Sequence, residues 1–358
     1  MKDTKIKDDD LFKLTIGHTN IINFRNLYEV LGQVLHELRM TFIKPDKPIS
    51  NDSDDSDNEE DEKNSGSDES SEDSSSEEES VKKKPVKKDS VKDSKDDNKM
   101  NLKKKENTGG IRILEVNDQS TIIIHVKLVE FIKFDCKYPT YTIGLDPQSL
   151  YNFIKNIDKE GLMTVYINEN SKQLMNIELN NVKKKNKSTY EFKLMELNEN
   201  KSKIPGPNFD VIVEMKTDDF HIMCKEMSTH GKYMAIICTE KKIEFRCKGN
   251  SGVIKKEFEN GGSIVITIKN DGTKKNEPKI FSEIYDLHNI TMFTKCRSLC
   301  SSIQLLLRNG NPMFIRYEVA NLGVMQVGFV PVNEDNLNRN INYDQKLDQY
   351  YPETQLNM

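Results

Sequence analysis

Residues 190–215 read YEFKLMELNENKSKIPGPNFDVIVEM, with a strand-like run at each end. The middle of this stretch fits neither a helix nor a strand, because Pro205 and Pro207 lack amide protons and flank Gly206. We therefore expect residues 199–208 to cross a surface in extended form. A tether between two similar runs indicates that it joins two related domains.

The same order of predicted strands and helices recurs on both sides of this tether. Alternating apolar residues predict a strand at 11–16, and apolar residues spaced by three and four predict an amphipathic helix over 22–38. Strand, helix and three strands then recur four times, with a strand at 263–268 opening the last unit. This duplication predicts an α+β fold of two similar domains, in which short helices cover one face of antiparallel sheets.

The three other predicted helices have recognisable starts. They begin at Asp146–Pro147, at a cap formed by Thr217 or Asp218, and at Leu287, and the last continues to Leu299. The helix after Pro147 is expected to bury Leu150, Phe153, Ile154 and Ile157.

A strongly charged insert interrupts the first domain. Residues 51–80 carry about -14 and residues 81–105 about +7 by simple counting, so the rest of the chain carries about +2. Serine and acidic residues without aromatic residues bury too little apolar surface to offset chain ordering, which predicts disorder over residues 50–108. The lysine run KKKPVKK at 82–88 resembles a nuclear import signal. Whether acidophilic kinases modify the serines stays open.

The composition argues against an enzyme, a membrane protein and a secreted protein. No apolar run is long enough for a bilayer, and the first ten residues lack a hydrophobic signal region, so an intracellular protein is expected. The six cysteines lack CxxC spacing and are expected to be buried free thiols. Neither HExxH nor a P-loop, GxGxxG or GxSxG motif occurs. We expect no catalytic residue, no metal site and no cofactor.

Four stretches carry a specific resemblance. They are YEFKLMELNENKSKIPGPNF from residue 190, DDFHIMCKEMSTHG from residue 218, FTKCRSLCSSIQLLL from residue 293 and NPMFIRYEVANLGVMQVGFVP from residue 311. With residues 11–49 and 109–331 as a whole, they resemble the eukaryotic-type DNA polymerase sliding clamp, the PCNA family. The resemblance implies a two-domain subunit of a homotrimeric ring, with helices lining the hole and sheets outside.

The resemblance also implies domain boundaries and a location. Residues 1–198 would form the N-terminal clamp domain, 199–208 the interdomain connector loop, 209–331 the C-terminal clamp domain and 332–358 a flexible tail. The Lys- and Asn-rich composition and the long insertions fit a clamp from a large DNA virus. A nucleus or a viral replication compartment is the expected location.

Double-stranded DNA, bound without sequence preference, is the first implied partner. A lining that attracts phosphates without reading bases needs only exposed cations. The positions that match basic residues of the family are Arg25, Lys155, Lys225, Lys295 and His288. The family often has lysine or arginine where this chain has Asn26, Gly32, Asn152 and Ile222, so we expect a less positive lining. From the residues alone, ordinary solvated helix faces remain the alternative.

Proteins with clamp-binding peptides, including DNA polymerase and the clamp loader, are the second implied class of partner. The matching pocket positions are Val116, Ile123, Ile204, Pro205, Phe209, Pro312, Val330 and Pro331. Gly328 stands where the family has an aromatic residue, and Ser202 stands where it has an aliphatic one, so the pocket shape is expected to differ. Core residues beneath a loop are the other interpretation of this set, and the two are compatible.

Further copies of the chain are the third implied partner. Tyr190, Phe192 and Leu194 on one subunit would pair with Val253, Ile254 and Phe258 on the next by strand addition between unlike sheet edges. The alternative is that Lys193, Lys255 and Lys256 blunt these edges, as in monomeric proteins.

These features predict a non-enzymatic clamp that confers processivity on DNA polymerase and recruits replication and repair proteins. A checkpoint-type subunit that assembles only with unlike partners, and a monomeric DNA-binding processivity factor, are the alternatives. The tail segment DQKLDQYY, Asp344 to Tyr351, has the aliphatic and double-aromatic spacing of clamp-binding peptides. Binding of this segment to a clamp pocket and a plain disordered tail are both open.

Overall fold

The computed structural model describes residues 9–45, 109–157, 160–181, 183–197, 209–269 and 281–332. The chain divides into two units, one of Met1–Asp46 with Asn107–Met358 and one of Lys47–Glu106. All described residues belong to the first unit. The insert at 50–108, the connector at 199–208 and residues 333–358 of the tail lie outside the described residues.

The first half of the described chain holds nine strands and two α-helices. They are β1 (Asp10–Ile16), α1 (His18–Val34), β2 (Leu38–Ile43), β3 (Gly110–Val116), β4 (Ile122–Leu128), β5 (Lys133–Cys136), β6 (Thr140–Leu145), α2 (Pro147–Ile154), β7 (Leu162–Asn168), β8 (Leu174–Asn181) and β9 (Asn186–Lys193). A short 3-10 turn, Glu169–Ser171, connects β7 to β8.

The second half repeats this order. Its described elements are β10 (Val211–Lys216), α3 (Thr217–Ser228), β11 (Tyr233–Cys238), β12 (Lys242–Gly249), β13 (Gly252–Glu259), β14 (Ile264–Ile268), β15 (Phe281–Asp286), α4 (Leu287–Thr291), a 3-10 turn at Thr294–Ser298, β16 (Ser302–Leu307), β17 (Met313–Val319) and β18 (Gly323–Phe329). Each half therefore has one strand, a helix, five strands, a second helix and three strands, which confirms the α+β class and the duplication.

The repeat contains one more strand per half than the sequence pattern predicts. The extra strands, β5 and β14, each pair with the first strand of their half, β1 and β10. We expected the strand at 263–268 to open the last unit, but β15 takes that place and β14 is the extra strand. β5 was missed because its four residues, KFDC, are too short and too polar to show an alternating pattern.

Three antiparallel sheets carry these strands. Their orders are β5-β1-β7-β8-β9, β14-β10-β16-β17-β18-β4-β3-β2-β6, and β13-β12-β11-β15. The nine-stranded sheet runs from one half into the other through the β18–β4 pair. The helices form a layer of their own, because α1 packs on α2, α3 packs on α4, and α1 also contacts the 3-10 turn Thr294–Ser298 of the other half.

The helix ends differ from the sequence prediction in three places. Helix α1 begins and ends four residues earlier than predicted, because Leu35 is already extended at φ -117° and ψ 135°. Neither Thr217 nor Asp218 caps α3: Thr217 is the first helical residue and is buried, and the N-cap is Lys216. Asp146 does cap α2, since its Oδ1 accepts the Gln148 backbone N–H at 2.9 Å.

The predicted helix over 287–299 is broken. Helix α4 ends at Thr291, and the 3-10 turn continues the path. The apolar residues Ile290, Phe293 and Cys296 of this stretch are nevertheless fully buried. Phe153 of α2 was expected in the core but is 43% exposed, and its ring lies edge-on against Phe192 at 5.3 Å.

The cysteines behave as expected from the sequence. All six are free thiols; five are buried and Cys300 is half-buried. Burial raises the pKa of Cys224 and of Cys296 above the usual thiol range. These thiols are thus protonated apolar groups of the core.

Candidate functional site

The residues predicted to contact DNA all lie on the helix layer. Two of them, Arg25 and Lys295, are already engaged by neighbouring groups of the chain. Lys295 forms an ion pair with Glu29 on α1, at 2.7 Å between Nζ and Oε1. The Arg25 guanidinium donates to the carbonyl of Lys155 at 3.2 Å, at the carboxyl end of α2. Lys225 is exposed on α3 without an ion-pair partner among the described residues. His288 is exposed at the start of α4.

The helix layer as a whole is only weakly cationic. Its helices, with the cap residue Lys155 and the 3-10 turn Thr294–Ser298, hold five lysines and arginines and four carboxylates, a net charge of +1. The carboxylates are Glu29, Asp218, Asp219 and Glu226. Ile222 is 54% exposed on the same layer. The helix layer therefore carries little net positive charge.

Gly32 has a packing role that the sequence did not reveal. A Cβ at this position would lie 2.8 Å from the Cα of Gln148 on α2. Contacts this short do not occur between real side chains and backbone, so only glycine allows α1 and α2 to approach this closely. The absence of a lysine at residue 32 follows from this helix contact.

The outer face of the nine-stranded sheet carries a continuous apolar row. Cross-strand pairing aligns one residue from each of six neighbouring strands, from β10 through β16, β17, β18 and β4 to β3. We call this set the outer row: Ile212, Leu306, Phe314, Gly328, Ile123 and Val116. It forms an apolar cluster separate from the main core.

The middle of the outer row, which we call its floor, is buried, and the two ends of the row are partly exposed. Ile123, Leu306 and Phe314 are 7%, 3% and 3% exposed, whereas Val116 and Ile212 at the ends are half-buried. The Phe314 ring fills the place of the side chain that residue 328 lacks, because a Cβ on Gly328 would lie 2.7 Å from that ring. An aromatic group therefore occupies this floor although residue 328 is glycine.

The outer row and the residues packed on it include three of the eight predicted pocket residues. Val116 and Ile123 belong to it, and Phe209 packs against the same cluster, with Lys269 Nζ 3.5 Å from the centre of its ring. Pro312, Val330 and Pro331 are half-buried beside the ends of β17 and β18. Ile204 and Pro205 lie outside the described residues.

Sequence reasoning missed three members of this cluster. Leu306, Phe314 and Ile212 lie on strands that are apolar on both faces, as the runs LLL at 305–307 and MFI at 313–315 show. An apolar run that breaks the alternation of a half-buried strand is the signal that could have found them.

The predicted subunit contacts lie on two edge strands. β9 ends the five-stranded sheet and β13 ends the four-stranded sheet. Tyr190 on β9 is 38% exposed and Val253 on β13 is 59% exposed. Ile254 and Phe258 are half-buried, and Leu194 follows the end of β9 and is half-buried as well.

Two details change the interpretation of these edges. Phe192 is 4% exposed and its ring packs against Phe153, so its side chain is part of the core of its own chain. Lys255 forms an ion pair with Glu244 at 3.1 Å, and Lys256 pairs with Glu226 at 2.6 Å. These two lysines are therefore neutralised within the chain and are poor blocking charges.

One buried polar pair lies inside the second half. The Tyr317 hydroxyl is 3.1 Å from His221 Nε2, and the two rings stack. Burial lowers the pKa of His221 to about 4, and the nearby Arg297 acts in the same direction. His221 is thus a neutral hydrogen-bond partner of Tyr317 in the core, and its Nδ1 has no partner among the described residues.

The described residues contain no group of three histidine, cysteine or acidic side chains close enough to hold a metal ion. None of their helices is both long and apolar enough to cross a membrane.

Comparison with known proteins shows that the sequence of this chain is similar to one family. Residues 203–332 match the family model for the C-terminal domain of proliferating cell nuclear antigen. Over 343 residues the chain is 27% identical to a probable DNA polymerase sliding clamp of Acanthamoeba polyphaga mimivirus, covering 94% of this chain and 66% of that protein.

Two shorter relatives are more distant. A probable DNA polymerase sliding clamp 1 of Paramecium bursaria Chlorella virus 1 is 19% identical over 62% of this chain and 84% of its own length. Proliferating cell nuclear antigen 2 of Drosophila melanogaster is 21% identical over 63% of this chain and 86% of its own length. These matches confirm the resemblance that the sequence showed.

Proposed function

We propose that this chain, whose sequence matches PCNA-family DNA polymerase sliding clamps, forms a homotrimeric ring around duplex DNA. The observation that carries the proposal is the pair of free edges, β9 and β13, which are unlike in sequence and end two different sheets. Unlike edges that pair head to tail generate a closed ring when the rotation allows it. A ring of three matches the family.

The helix layer supports encirclement rather than tight adhesion. With a net charge of +1 on the helices of each subunit, three subunits would give about +3, far less than the cations that hold a typical DNA-binding protein on phosphates. A closed ring needs no more, because topology prevents escape. In this proposal Arg25, Lys155, Lys225, Lys295 and His288 face the DNA, and they carry no base specificity.

The outer row is the proposed docking site for partner peptides. An apolar floor with half-buried ends accepts an aliphatic and two aromatic side chains from a short helical segment. DNA polymerase, the clamp loader and repair proteins that carry such peptides are the proposed partners, and the chain itself has no catalytic role. The proposed domains are residues 1–198 and 209–331, joined by the connector at 199–208. The proposed location is a nucleus or a viral replication compartment.

The mass of the protein in solution tests the ring. Light scattering after size-exclusion chromatography should give about 124 kDa, three times the chain mass of 41.3 kDa. A checkpoint-type subunit that needs unlike partners, or a monomeric processivity factor, would give the mass of one chain. A single-chain mass at high concentration would overturn the proposal.

A further inference from the structure

The outer row lies where the described chain ends. Gly328 of β18 belongs to the row, and β18 ends one residue later. The Val332 backbone N–H donates to the carbonyl of Ile284 at 2.8 Å, which fixes the point from which the tail leaves. The described chain therefore ends four residues after the outer row.

The tail is long enough to reach every part of the outer row. Asp344 lies twelve positions after Val332, a separation that spans at most about 40 Å when extended. A random coil of twelve residues has an end-to-end distance of about 20 Å. Six strands spaced by about 4.8 Å make the row about 24 Å long, so the distances match.

The tail contains one segment with the chemistry of an amphipathic helix. Leu347 and Tyr351 are four residues apart, and Tyr350 follows Leu347 by three, so all three share one face at helical spacing. Asp344 and Asp348 lie along one side of that face. An apolar face with an acidic border would result.

The sheet surface beside the outer row carries polar and charged residues that complement those of the tail segment. The next row on the same face, one pleat from the outer row, contains Glu214, Gln304, Arg316, Gln326, His125 and Leu114 in register. Arg316 Nε is buried and has no hydrogen-bond partner among the described residues. Buried donors are nearly always satisfied, and a carboxylate is the strongest acceptor for a guanidinium. An apolar row bordered by an arginine thus faces a segment whose apolar face is bordered by aspartates.

We propose that residues Asp344–Tyr351 dock in cis on the outer row, with Leu347 and the two tyrosines on its apolar floor and an aspartate carboxylate at Arg316. A tethered segment has an effective concentration in the millimolar range, so weak intrinsic affinity suffices. Resting on the proposed function of this surface, docking makes the tail a competitor of partner peptides.

Photocrosslinking in the full chain tests the docking directly. p-Benzoylphenylalanine in place of Tyr351 should crosslink to peptides that contain Ile123 or Phe314, as mapped by mass spectrometry. The same group in place of Gln349, on the opposite helical face, is the matched control and should give at least a fivefold lower yield. Equal yields, or crosslinks that avoid the outer row, would overturn the proposal.

Charge exchange adds a second test. The double change Asp344→Arg and Asp348→Arg should reduce the crosslink yield at least fivefold, and adding Arg316→Glu should restore it. If Arg316→Glu unfolds the protein, the variant with both aspartates replaced still tests the contact with Arg316. An unchanged crosslink yield in that variant would contradict the carboxylate contact. Crosslinks found only between isotope-labelled and unlabelled chains would contradict docking in cis.

Competition provides the functional measurement. A labelled peptide of residues 342–354, added to the full chain, should bind about tenfold more tightly to a Leu347→Ser, Tyr351→Ser variant than to the unchanged chain. Equal affinities would refute competition. None of these measurements uses DNA, so they can fail while the ring holds, and the ring can fail while they succeed.

Discussion

The floor of the outer row depends on one pair of residues, Phe314 and Gly328. The ring of Phe314 lies across the Cα of Gly328 on the neighbouring strand, at a distance that leaves no room for a methyl group. The Phe314 ring therefore requires glycine at residue 328, and the absence of a side chain there leaves space for the ring. Together the two residues shape the proposed peptide site.

Gly328→Ala should lower the free energy of unfolding by about 1–3 kcal/mol, because the added Cβ forces the Phe314 ring out of its place. In a Phe314→Val background the same change should cost much less, since the smaller side chain leaves space. Urea denaturation of the two single variants and the double variant measures the coupling. Additive losses would show that the ring does not occupy this site.

His221 makes the stability of the second half sensitive to acid. Its pKa is lowered to about 4 by burial, while an unfolded chain holds histidine near the ordinary value of 6.5. The folded state therefore binds fewer protons below about pH 6.5, and stability falls as the pH drops from there toward 4. The loss between pH 7 and pH 4.5 amounts to about 2–3 kcal/mol.

His221→Gln should remove this part of the pH dependence. Glutamine keeps a polar group near Tyr317 but does not titrate, so the variant should lose about 2–3 kcal/mol less than the unchanged protein between pH 7 and pH 4.5. Denaturation curves at both pH values measure the difference. His36→Gln, at an exposed histidine, is the control and should change nothing. Parallel pH profiles for the protein and its His221 variant would contradict the assignment.

At the scale of elements, the edge strand β13 carries the proposed subunit contact. Val253→Lys should place a charge where the edge of the next subunit binds, and weaken self-association at least tenfold without unfolding the chain. Val265→Lys is a matched control, since Val253 and Val265 are 59% and 55% exposed on edge strands of different sheets. Light scattering should show single chains for the first variant and trimers for the second. Trimers in both would exclude β13 from the contact.

The elements that the sequence predicts best are those with one apolar and one polar face. Helix α1 and strand β7 show this clearly, because their burial follows the 3.6- and 2-residue periods. Strand β5 is too short and polar to show a period, and the outer-row strands are apolar on both faces, so the pattern does not distinguish their two sides. The ion pair of Lys295 and Glu29 joins residues 266 positions apart, and no local pattern reveals it.

At the scale of the whole molecule, the helix layer contains elements from both halves of the chain. The Lys295–Glu29 pair links the 3-10 turn of the second half to α1 of the first. Both side chains are partly exposed, so the pair adds little to stability. Its larger effect is on charge, since it neutralises one of the four lysines and arginines proposed to face DNA.

Glu29→Gln should therefore strengthen binding to DNA. Each subunit gains one positive charge, and affinity for a short labelled duplex should rise about twofold to tenfold at low salt, with the gain disappearing as salt is added. Fluorescence anisotropy measures this. Glu240→Gln removes the same charge at the exposed turn between β11 and β12 and should leave the affinity unchanged. An equal gain in both variants would show that net charge, and not the helix layer, sets the attraction.

The central claim is that a closed ring, and not adhesion, keeps this protein on DNA. The most direct test lets the protein thread onto linear duplex, blocks both ends with bound streptavidin, and then washes with high salt. The blocked DNA should retain the protein, and cutting it with a restriction enzyme should release it at once. Release at the same rate from blocked and cut DNA would contradict encirclement.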